Sequence, residues 1–277
     1  MGDTMQISAK ISEKFLPVTA EIGFCGTDES FLPYDERERI LSAEYTREVL
    51  DRNEAIRACG MRVCQTHMTY LPSHRPRMDE YAEYEAYFMP LYEKEIALTA
   101  QMHCPTTVMH PYFTDEASRS REVNVRLIER MLPMLEKNGV ILSLENIYGA
   151  GYGEAHHSTA EDMLYYAEYF RSPFVGVCLD TGHAVVRGQN PSGMLSALLP
   201  HLTAVHLHAT VAGMDLHALP YMAGNAVNWG EIGAILRQST YRGTFNLECK
   251  PSPKLSDEAA EQYYRLAYRI ASDILGE

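Results

Sequence analysis

Six side chains able to bind a metal stand where short apolar runs stop: His67, His110, Glu145, Asp180, His206 and Glu248. Val140-Ile141-Leu142-Ser143-Leu144 ends in Glu145. The run Phe174–Leu179 ends in Asp180, Leu202-Thr203-Ala204-Val205 meets His206, and Thr244–Leu247 ends in Glu248. Upstream, Val63-Cys64-Gln65-Thr66 ends in His67 and Val108-Met109 ends in His110. One such residue at one strand end is more often a helix cap or a satisfied buried polar group than a ligand. Recurrence at six successive ends asks for a single cause.

The chemistry follows from charge. Three carboxylates packed together resist ionisation unless a cation joins them. Two Glu, one Asp and one His make a mixed oxygen/nitrogen set that suits Mn²⁺, Mg²⁺, Co²⁺ or Zn²⁺. His206 and His208 lie two apart on an expected strand and share a face, so either could supply the nitrogen. The expected cofactor is therefore a divalent metal, of a kind that polarises a bound carbonyl or activates water.

Such residues meet only if the strands are parallel and end together. β-rich runs at Met61–His67, Thr106–His110, Val140–Glu145, Phe174–Asp180, Leu202–His208 and Thr244–Glu248 alternate with helical patterns at Glu44–Ala58, Glu80–Ala100, Arg121–Lys137, Thr159–Phe170 and Asp257–Leu275. Two further strands, Gln6–Ala9 and Phe24–Asp28 with a helix between them, bring the count to eight. Alternation of this kind predicts parallel pairing through right-handed crossovers. Eight units in 277 residues, with no linker-like tract, predict a single-domain (β/α)₈ TIM barrel over residues 1–277, with an open doubly wound sheet as the alternative. In a barrel the C-terminal strand ends gather catalytic residues on one face.

Composition narrows the partners. Hydrophobic residues at 46% and charged residues at 22% describe an ordinary globular chain. A net charge of −13 argues against blanket binding of nucleic-acid phosphates, though not against a local basic groove. No apolar run reaches the roughly 20 residues needed to span a bilayer, so no membrane partner is expected. The start MGDTMQISAK lacks a secretory pattern, and the six cysteines form no C-x-x-C pair. The expectation is buried free thiols in a cytoplasmic protein. A homo-oligomer is left open. His156 and His157, in the polar stretch AGYGEAHHSTAED, are expected to be solvated or to cap the next helix; His74, His103 and His201 are expected to be structural.

With VMHPYF, ILSLENIYG, VGVCLDTGHA, VHLHAT, MDLHALPYMAGNAVNW and GTFNLEC in this order, the chain resembles the xylose-isomerase-like TIM barrels, which include sugar isomerases, sugar epimerases and the endonuclease IV class. The resemblance implies metal ligands Glu145, Asp180, His206 and Glu248. It implies substrate contacts at His183, three residues after Asp180, and at the D-x-H element Asp215 and His217. His67, His110, His208 and Lys250 are expected to complete the substrate-binding set around a small carbohydrate. Glu145 and Glu248 are the expected acid and base, one taking a proton from the carbon beside the carbonyl and the other returning it.

The nine positions His67, His110, Glu145, Asp180, His183, His206, Asp215, His217 and Glu248 also resemble the larger ligand constellation of the endonuclease IV class, which implies zinc-dependent cleavage of abasic DNA. That class has an Asp where Ala209 stands, and Thr-Pro where Cys249-Lys250-Pro251 follows Glu248. In the ketohexose epimerases a substrate-binding Glu and Arg fall on Gly151 and Ala212. A sugar-binding barrel without catalysis is the third reading.

Overall fold

The computed structural model describes residues 5–70, 81–113, 116–148 and 156–276. Eight strands form one parallel sheet: β1 (Ile7–Ala9), β2 (Gly26–Ser30), β3 (Arg62–His67), β4 (Thr106–Met109), β5 (Ile141–Glu145), β6 (Val175–Asp180), β7 (Leu202–His206) and β10 (Phe245–Leu247). Each pairs with the next in sequence, and β10 returns to β1. The ring closes between β7 and β10, where Leu207 bridges Leu247 and its N–H donates to Asn246 O at 2.9 Å. The result is a nearly closed (β/α)₈ barrel. An antiparallel hairpin, β8 (Ala209–Val211) and β9 (Met214–Ala218), extends the chain after β7.

The outer layer contains α1 (Leu16–Ile22), α2 (Arg37–Leu41), α3 (Ala43–Ala58), α4 (Tyr81–Gln101), α5 (Ala117–Asn138), α6 (Ala160–Phe170), α7 (Thr181–Val186), α8 (Pro191–Leu198), α9 (Trp229–Gln238) and α10 (Asp257–Leu275). Local chemistry sets several ends. Thr159 and Asp162 form a reciprocal capping box that starts α6. Ser256 caps α10 through its side chain. Gly139 takes the left-handed conformation (φ 67°) that stops α5 immediately before β5. The main apolar core lies between strands and helices. Inside the narrow barrel, Val108, Cys178 and Ala204 make a small separate cluster. Around it run hydroxyl contacts such as Ser143 to Thr106 at 2.7 Å and to Thr203 at 2.6 Å.

The expected second strand shifts. Phe24–Asp28 was the expected span, but pairing runs from Gly26 to Ser30, with an irregular register between Thr27 and Asp28. β7 stops at His206 and not His208, because Leu207 leaves β6 to close the ring. The helix expected from Glu80 is described from Tyr81; Glu80, His74 and Gly151 lie outside the described residues. His157 is buried and makes contact with Asn124 and Tyr166, so it is neither solvated nor a cap. Burial lowers its imidazole to about 4. All six cysteines are free thiols, and Cys25 and Cys59 are partly exposed, unlike the expected buried set. Among the described residues no helix is long and apolar enough to cross a membrane.

One buried acid ties the outer layer to the barrel mouth. Glu95 of α4 accepts from Thr69 N–H at 3.1 Å and lies against the Thr69 hydroxyl, which bonds to Leu32 O at 2.8 Å. A hydroxyl has one proton. The pair is satisfied when a protonated Glu95 donates to Thr69 and Thr69 donates to Leu32. Burial raises the Glu95 carboxyl from 4.5 to about 8, against the hydrogen bonds from Thr69. Because the folded value is the higher one, stability is fully present below 4.5 and falls as pH rises towards 8. The wild type is expected to melt at progressively lower temperature from pH 5 to 8 relative to Glu95→Gln; parallel melting profiles would refute the assignment.

Candidate metal centre

Parallel pairing brings the strand ends to one rim. His67, Glu145, Asp180 and His206 are the last residues of β3, β5, β6 and β7, while Lys10, His110 and Glu248 directly follow β1, β4 and β10. Three carboxylates converge on Nδ1 of His206: Glu145 Oε1 at 3.0 Å, Glu248 Oε2 at 3.2 Å and Asp180 Oδ2 at 4.0 Å. The four residues each present a donor atom within 4.8 Å of the others. Their exposures are 1% for Glu145, 0% for Asp180 and His206, and 7% for Glu248, so water cannot screen them.

The two oxygens of Glu145 face different partners. Oε1 faces His206 and also Nδ1 of His183 at 3.3 Å, while Oε2 faces Nε2 of His67 at 3.1 Å and Nε2 of His110 at 3.2 Å. Burial opposes ionisation of Glu145, but His206 and His110 hold its carboxyl well below the ordinary range. Burial likewise opposes charge on His206, but Glu145 and Glu248 raise it to about 10. Asp180, buried between His183 and His208, is held at about 2. Without another cation, imidazolium groups balance the carboxylates. The donor set, two Glu, one Asp and one His nitrogen, fits a hard or borderline divalent ion.

Secondary contacts set these side chains. Asn146 crosses from β5 to β6: Asp180 N–H donates to its Oδ1 at 2.8 Å, and its Nδ2 donates to Asp180 O at 3.0 Å. Asp180 caps α7 by accepting from His183 N–H at 2.6 Å. His183 Nδ1 donates to Asn146 O at 2.8 Å, which turns Nε2 towards Asp215 Oδ2 at 3.6 Å. His217 Nδ1 donates to Glu248 O at 2.9 Å, and its Nε2 faces Asp215 Oδ2 at 3.0 Å.

The two strand-seven histidines separate. His206 stands at the centre. His208 is fully buried, contacts Asp180 at 3.0 Å through Nε2, and stacks on His217 with ring centres 4.3 Å apart. With Asp215 and His217 it forms a second donor group, and His67 with Glu145 and His206 forms a third. His208 thus packs behind Asp180 and touches the lining residues Asp215 and His217 without itself lining the cavity.

That cavity, about 830 Å³, opens over the centre. His67, His110, Glu145, His183, Asp215, His217 and Glu248 line it, with exposed Lys250 at its edge. Tyr70 packs on His110 at 4.3 Å and Tyr148 on His183 at 4.9 Å. Lys10 and Asp28 were not singled out in the sequence. Lys10 donates to Ser30 Oγ at 2.8 Å and lies 3.4 Å from Glu248 Oε1 and 3.6 Å from Asp28 Oδ2. Burial opposes ionisation of Asp28, yet Lys10, His206 and His67 hold its carboxyl below the usual range. Reading the ends of the first two strands as the other six were read would have found both.

A family model described as Xylose isomerase-like TIM barrel matches residues 18–266. A protein of Sinorhizobium fredii (strain NBRC 101917 / NGR234), described as uncharacterized protein y4fM, is 29% identical over 195 residues, 65% of this chain; the match spans only 58% of that protein's length. Among solved structures, D-psicose 3-epimerase in the presence of D-fructose is similar at TM-score 0.77 and 15% identity, covering 99% of this chain and 100% of that one. Apo 3-keto-D-glucoside 4-epimerase from E. coli follows at 0.75 and 14%, covering 97% and 99%. L-ribulose 3-epimerase is at 0.74 and 15%, covering 99% and 95%. At such identities the likeness is one of fold.

Gly182 is a constraint that the centre depends on. A Cβ there would land on the His208 ring. Gly182→Ala is expected to cost about 1–3 kcal/mol by overpacking and to push His208 off Asp180. Chemical denaturation checks the first effect, and an unchanged midpoint would contradict it.

Proposed function

Since the chain belongs to the xylose isomerase-like TIM barrel family, we propose that it is a divalent-metal-dependent isomerase or epimerase of a sugar or sugar phosphate. One observation carries this reading: three buried carboxylates of separate strands meet at a single imidazole nitrogen beneath a cavity. Glu145, Asp180, His206 and Glu248 would hold the ion, which when bound supplies the Lewis acidity that loosens a proton beside a substrate carbonyl.

The remaining work falls to the chain's own groups. Glu145 and Glu248 come from β5 and the end of β10, and both line the cavity. One carboxylate takes the carbon-bound proton and the other gives a proton back. Return to the opposite face inverts the centre; return to the neighbouring carbon isomerises. His183, fixed by Asn146, presents Nε2 to a substrate oxygen together with Asp215 and His217. His67 and His110 hold the outer oxygen of Glu145 and reach substrate from the same side. Lys250 meets the substrate at the rim. His208 acts by holding Asp180. The free thiols fit the reducing conditions of a cytoplasm.

A second reading has its own support. The extra donor groups around His67 and around Asp215 and His217 are of the kind a zinc phosphodiesterase acting on abasic DNA would need. Against it stands the net charge of −13. Two or more zinc ions per chain, with nicking of an abasic oligonucleotide, would favour it.

The test is exchange of a carbon-bound proton with deuterated water across a panel of ketoses, aldoses and their phosphates. Glu145→Gln and Glu248→Gln are each expected to lower turnover by at least roughly 10²-fold. Retained turnover in both would rule the mechanism out, and sugar binding without exchange would make the barrel a binding protein.

A further inference from the structure

We propose that Asp28 is the positioning residue for the ligand His206, its carboxylate favouring the proton on Nε2 so that the Nδ1 lone pair faces the metal; this rests on the metal reading above. Nδ1 of His206 is the atom on which Glu145, Asp180 and Glu248 converge. Nε2 of the same ring is buried without a hydrogen-bond partner among the described residues and points at Asp28 Oδ2, 3.8 Å away. Ring stacking at 5.7 Å against His67 braces the plane of the imidazole.

Asp28 is held for the task. Its Oδ2 accepts from Asn246 Nδ2 at 3.1 Å and Gln65 Nε2 at 3.3 Å, with Lys10 Nζ 3.6 Å away. Its Oδ1 is buried and has no partner among the described residues. At 3.8 Å the pair is an electrostatic contact, longer than a hydrogen bond, and Nε2 of His206 and Oδ1 of Asp28 are both buried without partners among the described residues. A neutral imidazole has one N–H and one lone pair. A carboxylate behind Nε2 settles which nitrogen has which, and it makes the other a better donor to a metal. Lys10 supplies the fixed positive charge that lets this fourth carboxylate stay beside three others, and it also engages Glu248 Oε1, leaving Oε2 turned to the centre.

Two measurements test the role. In the zinc-loaded wild type, long-range ¹⁵N–¹H spectra should show His206, assigned by its loss in His206→Gln, metal-bound at Nδ1 and protonated at Nε2. Metal binding through Nε2 would overturn the proposal. In parallel, Mn²⁺ titration of the Asp28→Asn protein should show affinity reduced by roughly 10–100-fold, while the metal-free variant melts no lower than the wild type. An affinity equal to the wild type's would also overturn it. A wild type that takes up no Mn²⁺ would sink the metal reading itself. A wild type that binds as tightly as Asp28→Asn would sink only the role of Asp28. Should Asp28→Asn fail to fold, the nitrogen assignment in the wild type still decides.

Discussion

Carboxylates cannot be gathered in a buried barrel mouth unless positive charge is gathered with them. Glu145, Asp180, Glu248 and Asp28 are all buried, and each is met by a cation or a group able to become one. The rest of the molecule serves that balance. Histidines surround the centre, and Lys10 lies 3.6 Å from Asp28 Oδ2, the same oxygen that His206 Nε2 faces. At the proposed site a divalent ion would take over the charge balance that the imidazolium groups otherwise supply.

The scaffold holds this cluster through short-range rules. Parallel pairing aligns strand ends, the closure at Leu207 fixes where β7 stops, and that stop assigns His206 and His208 to different neighbours. Asn146 couples adjacent strands at the rim, and Gly182 yields the space in which His208 stands. Both are small chemical choices with long reach. The hairpin β8–β9 then returns Asp215 and His217 over the site, so the cavity wall is built partly by a segment outside the barrel.

Much of this was legible in the sequence because two periodicities coincided: apolar runs of strand length, and a polar residue of one chemical kind at the end of each. Helix ends were equally readable where capping chemistry was local, as at Gly139 and Asp257. What escaped depended on three-dimensional closure. The shift of β2 follows from register with β3, which no local pattern encodes. The split between His206 and His208 needed the bridge at Leu207. Lys10 was hidden because β1 is three residues long and its end looks like ordinary polar sequence, whereas Asp28 stood at the end of the expected second strand and was passed over. His157 sits in a polar stretch yet is buried against Tyr166 of the next helix and Asn124, 33 residues away in sequence.

The central claim is a place in space, and diffraction can see it. Crystals of the protein equilibrated with Mn²⁺ and measured at the manganese absorption edge should give an anomalous peak bounded by Glu145, Asp180, Glu248 and Nδ1 of His206. A map without a peak there, or with its strongest peak on other side chains, would contradict the account.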